Sequence, residues 1–214
     1  MKQTKEYTIW DAKTPVVLVS STNATPIVVT ATAHGFATGD LVMIYGHATN
    51  TSANGIYKIT KIDADKFSLQ DRYAGTNIAG VGVGGATGRV IAAPTVVPMQ
   101  DYQHAVLSFI TSGTATLTVL VVGSIGKLTS DETQWTNEPN FGATIAKANP
   151  YSGIQVVDLD AGGAINGVTG IAVAGTDFNK LYEINVNALK FLTLIPSAWT
   201  QGAITAKILL TDNN

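Results

Sequence analysis

The residues with the best claim to chemistry are few and scattered. Gly80, Gly82 and Gly85 stand in the order G-x-G-x-x-G, the spacing with which a strand-to-helix turn presents backbone amides to a pyrophosphate. That chemistry needs a helix after the last glycine. Here Arg89-Val90-Ile91 follows, a strand-like run, so the stretch reads as a glycine-rich hairpin or loop. Asp158, Asp160, Gly162 and Gly163 have the spacing of the start of a calcium loop, but Thr169 holds the twelfth position, where a bidentate acid belongs. They read as turn residues at a strand end, as do Asp63 and Asp65. His34, His47 and His104 are the only histidines. A general base needs a nucleophile and an orienting acid within hydrogen-bond reach, and no local spacing supplies them. His34 falls in a His-Gly-Phe turn, where an imidazole bonds backbone groups. Gly123-Ser124-Ile125-Gly126 lacks the first glycine of a nucleophile elbow. Trp10, Trp135, Trp199 and Tyr151 would offer flat faces to sugar rings, though core and subunit packing is the commoner use of such rings. Trp10, Trp135, Phe141 and Tyr151 are therefore the expected interface residues. No catalytic residue, cofactor or metal ligand is expected, and the chain is read as not an enzyme.

The elements that must position these residues are strands. Ile27, Val29, Ala31 and Ala33 share one face of an extended segment, with Thr30, Thr32 and His34 on the other, the period-two pattern of a half-buried strand. His34-Gly35-Phe36 and Thr38-Gly39-Asp40 turn the chain, Leu41 to Tyr45 forms a second strand, and Asn54-Gly55 has the signature of a tight hairpin turn. Tyr57, Ile59 and Ile62 continue the pattern, residues 63 to 66 turn again, and Phe67 and Leu69 close a small barrel or curled sheet. From Thr95 onward, runs at 95–99, 105–110, 115–122, 154–159, 181–186, 191–195 and 203–210 read as short strands. Ser112-Gly113, Gly123, Gly162-Gly163, Ala188 and Gln201-Gly202 separate them. That spacing suggests a β-sandwich or jelly-roll. Residues 127–152 form a long irregular stretch with Trp135, Phe141 and Tyr151. No amphipathic helix of ten or more residues is legible. The reading is all-β: residues 1–22 as an N-terminal arm or an edge strand of the C-terminal sheet, 23–92 as a small β-barrel-like module, and 93–214 as a β-sandwich/jelly-roll-like domain.

Composition narrows the partners. Hydrophobic residues make up 45% of the 214 and charged residues 13%, against a usual quarter, so Thr, Ser, Asn, Gly and Ala must cover the surface. A net charge of −2 with no basic patch argues against nucleic acid. The chain has no cysteine, which excludes disulfides and thiolate metal sites. No segment approaches the ~18 apolar residues of a membrane helix, and the opening MKQTKEYTIWDAK is too polar for a signal peptide. A protein made in the cytoplasm, with no membrane or nucleic-acid partner, is expected.

The string AHGFATGDLVMIYG, then NGIYKITKID, then KFSLQ resembles a small β-module of tailed-phage structural proteins, one similar to the first catalytic cysteine half-domain of ubiquitin-activating enzymes. The shared pattern is H-G-F, G-D-x-V, N-G-x-Y and F-x-L, turn-makers and core apolars throughout, so it implies a fold and a setting but no reaction. Without a cysteine no thiol chemistry carries over. The runs QDYQHAVLSFITSG and YEINVNALKFLTLIPSAWTQGAITAKI resemble, more loosely, a β-sandwich domain of head-decoration proteins. The resemblance implies a virion structural protein on the particle surface. The first expectation is a capsid decoration or cement protein, trimeric, bound non-covalently to the major capsid protein or other virion proteins. A tail, baseplate or head-fibre component is the alternative in the same setting, and a carbohydrate-binding receptor module the alternative from another class.

Overall fold

The computed structural model describes residues 4–82, 84–85, 87–99, 102–124, 151–167, 169–187 and 189–212. Its elements are β-strands and a single 3-10 turn, Thr51–Ala53. The chain forms two units. One is Pro15–Ala93; the other is assembled from residues on both sides of it.

The inner unit holds β2 (Val16–Val17), β3 (Ser20–Ser21), β4 (Val28–Thr30), β5 (Leu41–Tyr45), β6 (Gly55–Lys61), β7 (Lys66–Asp71) and β8 (Arg89–Ala92). Their order in the sheet is β2-β8-β5-β6-β7-β4-β3, and every pairing is antiparallel. The two ends of that list are one piece of chain. Val16 pairs with Val90 while Ser21 pairs with Val29. Between them the Leu18 N–H donates to Gly88 O at 3.2 Å and the Val19 N–H to Thr30 O at 2.8 Å. Residues 16–21 thus join the first strand of a curled sheet to its last, which removes the open edges. The alternation of the sequence supplies the interior: Leu18, Ile27, Val29, Ala31, Val42, Ile44, Tyr57, Ile59, Phe67, Leu69 and Val90 are buried together.

Three local expectations are corrected here. Residues 15–22 belong to this barrel and not to an arm. Ala33 leaves the strand face: it takes φ 51 in a turn whose N–H donates to Asp65 Oδ1 at 2.8 Å. Asn54-Gly55 makes no two-residue hairpin, because Asn54 is extended (φ −76, ψ 127) at the end of the loop from residue 46 that joins β5 to β6. Gly55, at φ 148, opens β6, and an added Cβ there would sit 2.9 Å from the Tyr57 hydroxyl. The tight hairpin is instead at residues 62–65, where the Ile62 N–H donates to Lys66 O at 2.9 Å.

The outer unit is one nine-stranded sheet. It consists of β1 (Thr4–Lys13), β9 (Val97–Pro98), β10 (His104–Ser124), β11 (Tyr151–Gly153), β12 (Val156–Asp158), β13 (Ala164–Ile165), β14 (Ile171–Thr176), β15 (Asn179–Asn185) and β16 (Phe191–Thr211). β10 and β16, each 21 residues, run antiparallel from His104↔Thr211 to Ser124↔Phe191. β15, β14 and β11 follow one another along the far side of β10, and β1 and β9 along the far side of β16. Of the two readings of the N-terminus, the pairing Thr4↔Thr211 through Lys13↔Ile204 makes it an edge strand of this sheet.

Ser112-Gly113 and Gln201-Gly202 do not separate strands. They are bulges inside β10 and β16, at a shared break in register between Ser112 and Thr116. Gly113 (φ 72) and Gly202 (φ 87) supply the left-handed backbone that a bulge needs, and a Cβ on Gly202 would lie 2.5 Å from Ala115 Cα. Asp177 (φ 52), between β14 and β15, accepts the Gly113 N–H at 3.0 Å. The bulges in β10 and β16 therefore lie beside the break between β14 and β15. Ala105, Leu107, Phe109, Leu117, Val119 and Val121 on β10 and Ile204, Ala206, Ile208 and Leu210 on β16 are buried on the inner face.

The barrel's closure yields a direct check. Residues 15–93 expressed alone are expected to give dispersed amide resonances and a cooperative thermal transition by circular dichroism. Residues 23–93, which lack Leu18 and the closing pairs, are expected to give neither. Burial of Leu18 alone is worth about 1.5–3 kcal/mol, and stability of a domain this small is of the same order. Cooperative melting of 23–93 would show that the closing segment is dispensable.

Candidate functional site

The turn motifs build the frame. His34 is buried, and its Nδ1 accepts the Phe36 N–H at 3.0 Å while Nε2 faces Asp63 O at 3.2 Å. Those partners require the neutral ring with its proton on Nε2. The ring stacks on Phe36 (5.5 Å) and meets Phe67 edge-on (5.0 Å). Asp40 Oδ2 accepts the Ala37 N–H, and Thr38 Oγ1 accepts the Lys61 N–H. Tyr57 donates its hydroxyl to Ser52 O or Asn54 O, at 2.6 and 2.9 Å, closing the loop before Gly55. Burial drives the Tyr57 phenol far above its ordinary pKa.

The polar cluster that local sequence patterns did not reveal lies beside this frame. Ser21 Oγ is 2.7 Å from His47 Nε2, and His47 Nδ1 is 3.2 Å from Thr87 Oγ1. Asn50 Nδ2 donates to both Ser21 Oγ and Thr22 O at 3.0 Å, and its Oδ1 accepts the Val81 N–H at 3.1 Å. Asn54 clamps the His47 backbone, accepting its N–H at 2.9 Å and donating to its carbonyl at 2.8 Å. These side chains come from β3, the β5–β6 loop and the strap between β7 and β8, separated by up to 66 residues (21 to 87). The legible sign was the glycine run. A Cβ on Gly80 would lie 2.8 Å from Thr22 O, one on Gly82 2.7 Å from Thr49 O, and one on Gly84 would collide with the His47 ring. Gly80, Gly82 and Gly84 thus serve close packing of the strap on residues 22–24 and 47–49, a Cβ on Gly85 of the G-x-G-x-x-G spacing would meet nothing, and β8, not a helix, follows.

Ser21 and His47 stand at nucleophile–base distance. The third position, on Nδ1, carries a threonine hydroxyl, which cannot hold an imidazolium as a carboxylate does. Ser21 is 3% exposed and His47 1%, so in this conformation a substrate carbonyl has no approach to Ser21 Oγ. Burial pulls the His47 pKa below its ordinary value. The arrangement ties three chain segments together and, in this conformation, is closed to substrate.

The other sequence candidates resolve as follows. Asp158 Oδ1 accepts the N–H groups of Asp160 (2.9 Å) and Ala161 (3.1 Å), and Oδ2 takes the Lys180 ammonium at 2.8 Å. The hydrogen bond from Lys180 holds Asp158 below the usual carboxylate range, and the turn uses the oxygens a cation would need. Asp63 accepts the Asp65 N–H within their hairpin, and Asp65 accepts the Ala33 N–H from the turn after β4. His104 faces Glu183 at 3.6 Å on the sheet surface. Trp10 is corrected: it is 1% exposed inside its own sheet, edge-on to Trp199 at 5.5 Å, because a bulge in β1 turns both Ile9 and Trp10 inward. Trp199 is 2% exposed and donates to Gly202 O at 3.0 Å. Neither indole offers a face to a sugar or a neighbour. Trp135 and Phe141 lie outside the described residues, as do the side chains of Tyr151 and Ser124.

No protein-family model matches the chain, and no curated protein matches it. Among solved structures it is similar to the SPBc2 prophage-derived protein YomS, at TM-score 0.36 and 9% identity over 56% of this chain and 80% of that one. It is also similar to the PBSX exported protein XepA, at TM-score 0.35 and 6% identity over 98% of this chain and 82% of that one. Likeness at these scores carries no argument about what this chain does.

Two substitutions separate packing from chemistry. Ser21→Ala leaves Asn50 and His47 short of a buried partner and is expected to destabilise the chain by about 1–3 kcal/mol in urea denaturation. Gly55→Ala is expected to cost more than the ~1 kcal/mol of Gly39→Ala. Gly39, at φ 97, has open space for a Cβ, whereas Gly55 meets the Tyr57 ring. Equal midpoints for the two glycine variants would contradict the steric assignment.

Proposed function

We propose that the chain is a structural component of a tailed-phage particle: a head decoration or cement protein. It would sit on the particle surface as a trimer, held to the major capsid protein or other virion proteins by non-covalent contacts. The observation that carries this reading is the outer face of the large sheet. Ile110, Leu159, Leu181 and Leu209 are 45%, 46%, 43% and 40% exposed. They share one face of the sheet: Leu209 is opposite Val106, Leu181 is opposite Ser108, Ile110 lies two residues along β10 from Ser108, and the Leu159 N–H donates to Leu181 O at 3.0 Å. Polar groups stand among them: Lys207, which is paired with Glu6 at 2.9 Å, and Glu183, 3.6 Å from His104. Exposed pairs of this kind contribute little stability. Apolar side chains exposed among polar ones on one sheet face are the kind of surface that binds another protein.

Two further features support the reading. Only 13% of residues are charged, which suits a protein that packs among neighbours. The H-G-F, G-D, N-G-x-Y and F-x-L residues that resemble the phage module all have turn, packing or core roles in the barrel. A tail, baseplate or head-fibre position draws on the same surface. The carbohydrate reading has lost two of its aromatic platform residues to the core.

Leu181→Asp combined with Leu209→Asp is expected to leave the melting temperature within a few degrees of wild type, because both side chains are exposed, while abolishing particle attachment and trimer formation in light scattering. A wild-type protein that stays monomeric at high concentration, and does not map to the head in a cryo-EM reconstruction of the particle, would end this assignment.

A further inference from the structure

We propose that His47 is the latch of an acid-opened clasp: with its ring neutral the glycine-rich strap is locked on the barrel seam, and a proton on the ring releases it. The proposal stands apart from the virion reading.

The strap meets the barrel seam at residues 18–21. Ser21 and Gly84 exchange backbone hydrogen bonds at 3.3 and 3.2 Å, Gly88 O accepts the Leu18 N–H, and the Gly80 N–H donates to Ala24 O at 3.0 Å. The His47 ring lies against Gly84 so closely that no Cβ fits, and it bonds the seam through Ser21 and the strap through Thr87. Donor and acceptor counting selects the tautomer. Ser21 Oγ already accepts from Asn50, so its own proton goes to Nε2. Thr87 Oγ1 then accepts both the Nδ1–H of His47 and the Ala48 N–H at 3.2 Å. Both ring nitrogens and the buried Ser21 hydroxyl are satisfied in that state, and the exposed Thr87 turns its own proton to solvent.

A second ring proton goes to Nε2 and breaks the arrangement. Ser21 Oγ then accepts from both Asn50 and Nε2–H, and its hydroxyl proton has no acceptor in the buried cluster. A buried orphan donor costs as much as a lost hydrogen bond, and the new charge has no counter-ion. The side chains bonded to the ring are Ser21 from β3 and Thr87 from the strap, while Asn50 and Asn54 from the β5–β6 loop bond Ser21 and the His47 backbone; Gly84 fills the remaining space. None carries a charge. The titratable groups nearest the ring and its partners along the chain are Tyr45, two residues before His47, a phenol that burial keeps neutral, and Arg89, two residues after Thr87, whose guanidinium donates to Gly88 O. Burial is the cause of the depressed His47 pKa. In the open form the ring is solvated and takes its ordinary value, near 6.5. The open form therefore binds more protons. The closed form is fully favoured above pH ~6.5 and loses stability as pH falls below it, down to the closed-form pKa. In that window the opening constant rises about tenfold per pH unit.

The test is a pH titration of the full-length, nitrogen-15-labelled protein from pH ~7.5 to ~5, the range in which histidine changes charge. It follows the amides of Gly80, Gly84 and Gly88 together with the His47 ring proton. The expected result is that the three glycines move toward disordered positions on the curve that His47 follows, with a midpoint below 6.5. His47→Gln should remove that transition, whereas His34→Gln should keep it. Glycine resonances that stay in place while His47 titrates would overturn the proposal. So would a transition that survives in His47→Gln, or one that follows the carboxylates near pH 4. Should His47→Gln fail to fold, coincidence of the glycine and His47 curves in wild type decides the matter alone.

Discussion

The pairing of the first strand with the last is the constraint on which the rest depends. β1 reaches β16 across nearly the whole sequence, from Thr4↔Thr211 to Lys13↔Ile204. Were the intervening ~80 residues before β9 an unstructured connection, closing it would cost about 4 kcal/mol. The barrel changes that sum because of where its ends lie. Val16 and Val90 are partners in adjacent strands, so the inserted unit begins and finishes side by side. A folded domain with neighbouring termini inserts into another at little entropic cost. Pro15 and Pro94 stand at the two junctions, where a fixed φ and a missing N–H interrupt strand pairing.

Much of this was legible, and the failures share a cause. Period-two alternation located the barrel strands, the core residues on them and the inner faces of β10 and β16. What alternation cannot report is which neighbour a strand takes. Residues 16–21 are too short and too exposed on one side (Val17 47%, Val19 42%) to look like a barrel seam; their importance comes from the two partners they join. Ser112-Gly113 and Gln201-Gly202 carry turn residues because a bulge needs the same left-handed backbone as a turn. The difference lies in the strand opposite. Asn54-Gly55 misled for a related reason: the Asn side chain is spent on the His47 backbone and the Gly on room for the Tyr57 ring, so neither residue serves a type I′ turn.

The polar cluster was illegible on different grounds. Ser21, His47, Asn50 and Thr87 are unremarkable one by one, and a strand-by-strand reading treats each as surface. Their burial follows from the strap, and the strap packs because glycine lets backbone approach backbone. The glycine run was the one trace of it in the sequence, and the strand-like Arg89-Val90-Ile91 after its G-x-G-x-x-G spacing already marks it as a hairpin or loop and not as a phosphate cradle. With β8 following the last glycines, the same absence of side chains that would admit a ligand admits residues 22–24 and the His47 ring.

The distribution of apolar residues separates what this chain covers from what it leaves open. A strand with one wet face needs apolar residues at alternate positions only. β16 breaks that economy twice. At Leu192-Thr193-Leu194-Ile195 both parities are buried, at 0%, 1%, 0% and 4% exposed. At Ile208-Leu209-Leu210 the inner residues are buried and Leu209 stays 40% exposed. The same doubling recurs at Phe109-Ile110 on β10 and Leu181-Tyr182 on β15, and each time the second parity faces outward. Stability of the isolated unit gives no reason for it, since exposed aliphatic groups add nothing to the fold and lower solubility. Threonine fills other outward positions, at Thr205, Thr116 and Thr118, so Leu209, Leu181 and Ile110 are exceptions to the sheet's own pattern, and the proposed docking face rests on them.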